Sequence, residues 1–187
     1  LGTLVRSEDD GFLGRSLAEF RVTWTTWERW RTVHEDTEVL TEDTGEPVGY
    51  NRDPYGTYNP RSGYYKNRNL LFSPIREDDR HHPKAVFIGA RTSDGKVAFS
   101  KDRLREEPLL ETTVGGVPYL AAYHQALDSA WVYRNPEDQS VTAIERGYEG
   151  PDGKQYTADS LPLEPVNAFD AMWFAWASFY PDTEVVA

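Results

Sequence analysis

From residue 85 onward, short apolar runs recur between turn residues: Ala85-Val86-Phe87-Ile88-Gly89-Ala90, Lys96-Val97-Ala98-Phe99-Ser100 and Leu109-Leu110-Glu111-Thr112-Thr113-Val114 come first. Val117-Pro118-Tyr119-Leu120-Ala121-Ala122-Tyr123, Ser129-Ala130-Trp131-Val132-Tyr133 and Ser140-Val141-Thr142-Ala143-Ile144 follow, broken by Gly115-Gly116 and by Asn135-Pro136-Glu137-Asp138. Runs of this length with tight turns predict successive strands, mostly antiparallel. Two stretches have helical spacing instead. Trp27, Trp30 and His34 fall at i, i+3 and i+7, as do Trp173, Trp176 and Tyr180, which puts each set on one helical face. Thr25 or Thr26 is the expected cap of the first helix and Asp170 of the second. Pro181 stops the second helix, and Thr183-Glu184-Val185-Val186 then reads as a short strand. The fold class is therefore α+β, mostly antiparallel β with short Trp-bearing helices.

These two stretches are copies of one another. Residues 27–39 align without gaps on residues 173–185, a constant offset of 146. Shared positions are both Trp of WxxW, a ring four residues after the second Trp, and the run Asp36-Thr37-Glu38-Val39, matched by Asp182-Thr183-Glu184-Val185. Trp27, Trp30, Asp36, Trp173, Trp176 and Asp182 are the anchors of this repeat. Large aromatics at helical spacing usually anchor a packed face, so both Trp pairs are expected in the core. The copies differ in completeness: strand-rich residues 85–172 precede the second, and only 26 residues precede the first. The chain thus divides into residues 1–84, the end of a first repeat plus a Tyr-rich segment, and residues 85–187, a fuller second repeat, expected to form one compact unit. If the strands of the first copy are missing, a sheet edge is left for another protein chain or a copy of this one to cover.

Residues 43–84 are rich in Pro, Gly and Tyr, which predicts ordered loops pinned by rings. Arg52, Asp53, Tyr55 and Tyr58, with Trp131 beyond them, are the candidate binding residues, since planar faces and a fork donor suit ligand contact.

Composition narrows the partners. The chain has 31 Asp and Glu against 20 Lys and Arg, a net charge of −11, and no basic block, so nucleic acid is excluded. An anionic membrane surface is disfavoured on the same ground. Lys contributes only 5 of the cations and Arg 15. Acid excess with few Lys fits adaptation to high salt, where screening removes the self-repulsion of the carboxylates. With no Cys, disulfides, thiolate catalysis and Cys-ligated metal sites are excluded. The longest apolar run, residues 171–180, is half of the roughly 20 residues a membrane helix needs, and the first residues do not read as a signal peptide.

Candidate chemistry is thin. No GxSxG, HExxH or P-loop occurs, and no cofactor is expected. His81 and His82 adjoin Asp78-Asp79-Arg80, a possible metal cluster, but neighbouring side chains of an extended segment point to opposite faces. His124 is the other candidate ligand. Asp53 with Glu38 or Glu184 is the candidate pair for a carboxylate-dependent hydrolase.

Several segments together carry a family likeness. They are Thr25-Thr26-Trp27-Glu28-Arg29-Trp30 with Asp36-Thr37-Glu38-Val39-Leu40, Tyr50-Asn51-Arg52-Asp53-Pro54-Tyr55-Gly56-Thr57-Tyr58, Asp78-Asp79-Arg80 with Pro83-Lys84, Thr113-Val114-Gly115-Gly116-Val117-Pro118, and Trp173-Phe174-Ala175-Trp176 with Pro181-Asp182-Thr183-Glu184-Val185. In this order, across most of the chain, they resemble the proteins grouped as domain-of-unknown-function family 3179. The resemblance implies an extracytoplasmic protein of bacteria and archaea, often a lipoprotein, without an established activity. The chain departs from the family pattern in lacking a longer front region with a Cys-Pro-x-Cys segment; after Ala121-Ala122-Tyr123 it carries His124-Gln125-Ala126-Leu127. The expected role is a binding or structural module at the cell surface of a halophile, with the hydrolase and the metal protein as alternatives.

Overall fold

The computed structural model describes residues 19–41, 43, 45 and 63–187. In chain order these form α1 (Trp27–Val33), a 3₁₀ turn (Gly63–Lys66), β1 (Val86–Arg91), β2 (Lys96–Ser100), α2 (Lys101–Glu106), β3 (Leu109–Val114), β4 (Val117–His124) and β5 (Ser129–Arg134). β6 (Thr142–Ile144), β7 (Gly147–Glu149), β8 (Gln155–Tyr156), β9 (Glu164–Val166), β10 (Ala168–Met172), α3 (Trp173–Phe179) and β11 (Glu184–Val186) complete them.

Two four-stranded sheets, β10-β1-β2-β11 and β3-β4-β5-β9, share a core, and a three-stranded sheet β6-β7-β8 lies on the far side of the second. All pairings are antiparallel except β2 with β11, which are parallel. The apolar runs are continuous because both faces of the central strands are buried, so period-2 alternation sorts residues between two cores rather than between core and water. In β1, Ile88 and Ala90 face the shared core while Phe87 lies under α3. In β4, Tyr119 and Ala121 face that core while Leu120 and Ala122 pack against the small sheet.

The turns are tied across the sheets. Gly115 and Gly116 both have positive φ (57° and 84°), the twist that a two-residue hairpin requires. A Cβ on Gly115 would meet the Asp94 carbonyl oxygen of the β1–β2 turn at 2.4 Å. Asp94 Oδ2 accepts from the Tyr119 hydroxyl at 2.6 Å and from Arg134 Nε at 2.7 Å, fixing the tip of one sheet to the body of the other.

The predicted strands from residue 85 to 144 all form, with β6 shortened. Thr26 caps α1, its hydroxyl accepting from the Arg29 N–H at 3.3 Å. Asp170 does not cap α3. It sits inside β10 opposite Ile88, and α3 starts after Met172 with no side-chain cap, because the carboxylate is engaged with a buried Lys. α2 was not legible, since Lys101–Glu106 has a single apolar residue, Leu104, and so no helical periodicity; Ser100 caps it, accepting from the Arg103 N–H. Of the Tyr-rich segment, Tyr65 is buried in the 3₁₀ turn.

Candidate functional site

The segment from Glu19 to α1 crosses the body at a polar cluster. Lys101 Nζ donates to Asp170 Oδ1 at 2.7 Å, with side-chain exposures of only 6% and 2%. Asp170 Oδ2 accepts from the Ser129 hydroxyl at 3.4 Å and from the Trp24 backbone N–H at 3.3 Å. Lys101 Nζ also reaches the Trp24 carbonyl at 3.5 Å and lies 3.8 Å from Asp128 Oδ2. A buried charge needs both a counter-ion and its remaining hydrogen bonds, and the crossing segment supplies part of that set through its backbone. Arg21 stacks on Trp131, 3.7 Å from the ring centroid, and its Nη2 donates to Ser129 Oγ and the Ala130 carbonyl. Burial holds the Arg21 guanidinium below its ordinary pKa, against the pull of Asp170.

Beside this cluster, Asp128 adopts φ of 50° in the β4–β5 turn. Arg105 grips it with a two-pronged contact at 2.8 Å on each oxygen, and the Tyr123 hydroxyl donates at 2.6 Å. Burial pushes the Asp128 carboxyl up, but the bonds from Arg105 and Tyr123 and the charges of Lys101 and Arg105 outweigh it and bring it to about 2. Burial and the same carboxylate push Tyr123 up to about 12.

The crossing segment leads into α1, where the two WxxW units can be compared bond by bond. Trp176 Nε1 donates to Thr183 Oγ1 at 3.0 Å, and Trp30 Nε1 donates to Thr37 Oγ1 at 2.8 Å. Each Thr hydroxyl donates back to the helix cap, Thr183 to the Tyr180 carbonyl and Thr37 to the His34 carbonyl. Each cap ring folds onto its Trp, Tyr180 at 4.5 Å and His34 at 4.0 Å between centroids. His34 and Tyr180 are thus cap residues beyond the helix end. Burial separates the two units. α3 buries Trp173, Trp176, Ala177 and Ser178, whereas α1 buries nothing. Trp27 is 49% exposed, Val39 64% and Leu40 97%; Phe20, Val22 and Val33 are exposed too. The expectation of a core Trp pair therefore holds for Trp173 and Trp176 and is corrected for Trp27 and Trp30, neither of which is buried, since among the described residues no strand packs beneath α1. Asp36 and Asp182 are both exposed.

Of the other candidates, Arg52, Asp53, Tyr55 and Tyr58 lie outside the described residues. Trp131 carries Arg21 on its face and His124 at 5.5 Å. The Nδ1 of His124 accepts from the Leu127 N–H at 3.3 Å. His81 packs between Phe87 and Trp173, 4.9 Å from each, and burial lowers its pKa. The structure brings neither imidazole to the other, and among the described residues no three His, Asp or Glu side chains are grouped as metal ligands. Glu38 and Glu184 are exposed. Hydrogen-bonded cations hold four other carboxyls below the ordinary range: Glu19 by Arg91, Asp78 by Arg80, Asp94 by Arg134 and Asp152 by Lys154. A general acid needs the opposite shift. Sequence reading took Asp170 only as a helix cap and did not join it to Lys101 and Ser129, although a lone acid inside Ala168-Phe169-Asp170-Ala171-Met172 was the available signal.

No helix among the described residues is long and apolar enough to cross a membrane. No curated protein and no solved structure matches the chain. Residues 3–183 match the family described as Protein of unknown function (DUF3179), and the chain belongs to that family.

Proposed function

We propose that this chain is a protein-binding module, cell-surface or extracytoplasmic and adapted to high salt, that acts by holding a partner chain against the α1 face rather than by catalysis. The observation that carries the reading is the exposure of Trp27, Val33, Val39 and Leu40 although α1 keeps the Trp–Thr bond, the Thr bond to the cap carbonyl and the ring stacked on the second Trp of its buried counterpart. A helix whose caps and side-chain bonds are made but whose apolar face meets water is a surface prepared for contact, since exposed apolar patches rimmed by polar groups mark interaction sites. The net charge of −11 with 5 Lys supports a salty exterior.

The test is purification of the tagged protein from its own cells in molar KCl. The wild-type chain travels with a stoichiometric companion in a species larger than the monomer, and the Trp27→Ser/Leu40→Ser variant travels alone. A wild-type chain that is monomeric and unaccompanied refutes the reading.

A further inference from the structure

Exposed apolar residues also gather in the loop between the 3₁₀ turn and β1. Leu71 is 74% exposed, Phe72 81% and Ile75 73%. Leu71 and Phe72 are chain neighbours, and neighbouring side chains project in different directions. Water therefore reaches this loop from more than one side, as it does a projecting tip and not one face of a packed layer.

The tip is fixed at both ends. Before it, Asn67 Oδ1 accepts from the buried Lys84 Nζ at 3.1 Å and from the Asn69 N–H at 2.9 Å. After it, the Arg76 carbonyl accepts from Ser178 Oγ of α3 at 3.1 Å, and the Asp78 carbonyl accepts from Trp173 Nε1 at 3.2 Å. A loop presented from two fixed points loses little further freedom when its tip is engaged.

Its charge differs from that of the rest of the chain. Residues 54–76 contain no Asp or Glu, the longest acid-free stretch in the sequence. Lys66 and Arg68 before the tip and Arg76 after it are all exposed. Acids resume beyond it: Asp78 is taken up by Arg80 and the Trp173 indole, Asp79 lies 3.6 Å from Arg68, and Glu77 is exposed. An apolar tip with cations on both sides matches a bilayer surface, where the apolar side chains enter the acyl boundary and the long cationic ones reach back to the headgroups. A folded protein covers one side of such a tip, whereas a fluid bilayer surrounds it. The net charge of −11 opposes an anionic surface in dilute salt. In molar salt a charge is felt over only ~3 Å, so the loop's own residues decide the contact.

We propose that residues 70–75 are a membrane-interface loop that inserts Leu71, Phe72 and Ile75 into a lipid surface, a second contact separate from the α1 face. The chain has no Cys, so Ser73→Cys, at an exposed position of the tip, carries a single environment-sensitive fluorophore on the full chain. With mixed phosphatidylcholine–phosphatidylglycerol vesicles in molar KCl, its emission shifts to the blue and is quenched by a lipid bearing the quencher in its acyl chain. Leu71→Ser/Phe72→Ser in the labelled chain lowers vesicle affinity ~10-fold or more, with the urea midpoint unchanged because both side chains already meet water. Trp27→Ser/Leu40→Ser keeps the wild-type affinity. A labelled chain that does not bind, or binds without acyl-chain quenching, overturns the proposal, as does equal affinity of the loop variant. Loss of affinity in Trp27→Ser/Leu40→Ser alone places the contact at α1 and also overturns it. So does a chain that ignores vesicles but loses a protein companion on Leu71→Ser/Phe72→Ser, since the loop then serves a protein.

Discussion

Lys101→Met tests whether the crossing segment is held by the buried ion pair. Lys101 and Asp170 are 2.7 Å apart with almost no solvent contact. At that distance a pair in a medium of effective dielectric ~20 attracts by roughly 6 kcal/mol before desolvation is subtracted. Removing only the cation leaves the Asp170 carboxylate buried with the Ser129 hydroxyl and the Trp24 N–H as its remaining donors. Breaking a buried pair costs about 3–5 kcal/mol, and these two donors place the variant toward ~3. Replacing both partners, Lys101→Met with Asp170→Leu, removes the uncompensated charge and is expected within ~1 kcal/mol of wild type, a coupling of ~2 kcal/mol or more. Urea unfolding reads the stabilities, and hydrogen exchange of residues 19–26 reads loosening of the segment, partial in Lys101→Met, which loses the bond to the Trp24 carbonyl, and fuller in the double variant, which also loses the acceptor of the Trp24 N–H. Buried charges are screened little by salt, so the cost is the same in dilute and in molar KCl. A cost under ~1 kcal/mol for Lys101→Met, or additive effects of the two changes, would refute this account.

Gly89→Ala sets a Cβ 2.3 Å from the Trp176 ring and is expected to destabilise by ~1–3 kcal/mol or more, with most of that loss absent in a Trp176→Leu background when both are measured by urea unfolding. Thr183→Val strips the buried Trp176 indole of its acceptor and costs ~1–3 kcal/mol, while Thr37→Val at the exposed first unit costs under ~0.5 kcal/mol; similar costs would contradict the difference in burial. Asp128, held at about 2 against an ordinary 3.8, contributes stability that is fully present above its unfolded pKa and is lost as pH falls from about 4 toward 2. That contribution is up to about 2 kcal/mol, and Asp128→Asn flattens the acid limb of the urea-midpoint profile over this window. The net charge of −11 predicts a Tm that rises by at least ~5 °C between dilute and molar KCl in differential scanning calorimetry; a flat profile removes the support for a saline habitat.

The α1 face and the polar cluster beneath it were legible to different degrees. The Trp–Thr bonds were implicit in the repeated spacing, because Trp30 with Thr37 and Trp176 with Thr183 meet through one short turn. The cluster was not, because Lys101, Asp170, Ser129 and Trp24 come from four separate stretches and meet only when the two sheets close. Asp170 shows how local reasoning failed. Its place before a helix suggested a cap, and the tertiary demand of a buried ammonium group drew the carboxylate elsewhere.

By itself the sequence determined the strands between residues 86 and 144, the two WxxW helices, the family and the acidic character, since each depends on short-range periodicity or on composition. Only the tertiary structure decided that two segments sharing the WxxW pair and the Asp-Thr-Glu-Val run have opposite fates. Trp176 is buried because Gly89 passes under it, and Trp27 is exposed because among the described residues no strand lies beneath α1. The hydrophobic effect acts on area removed from water, and that area belongs to a pair of surfaces rather than to a residue.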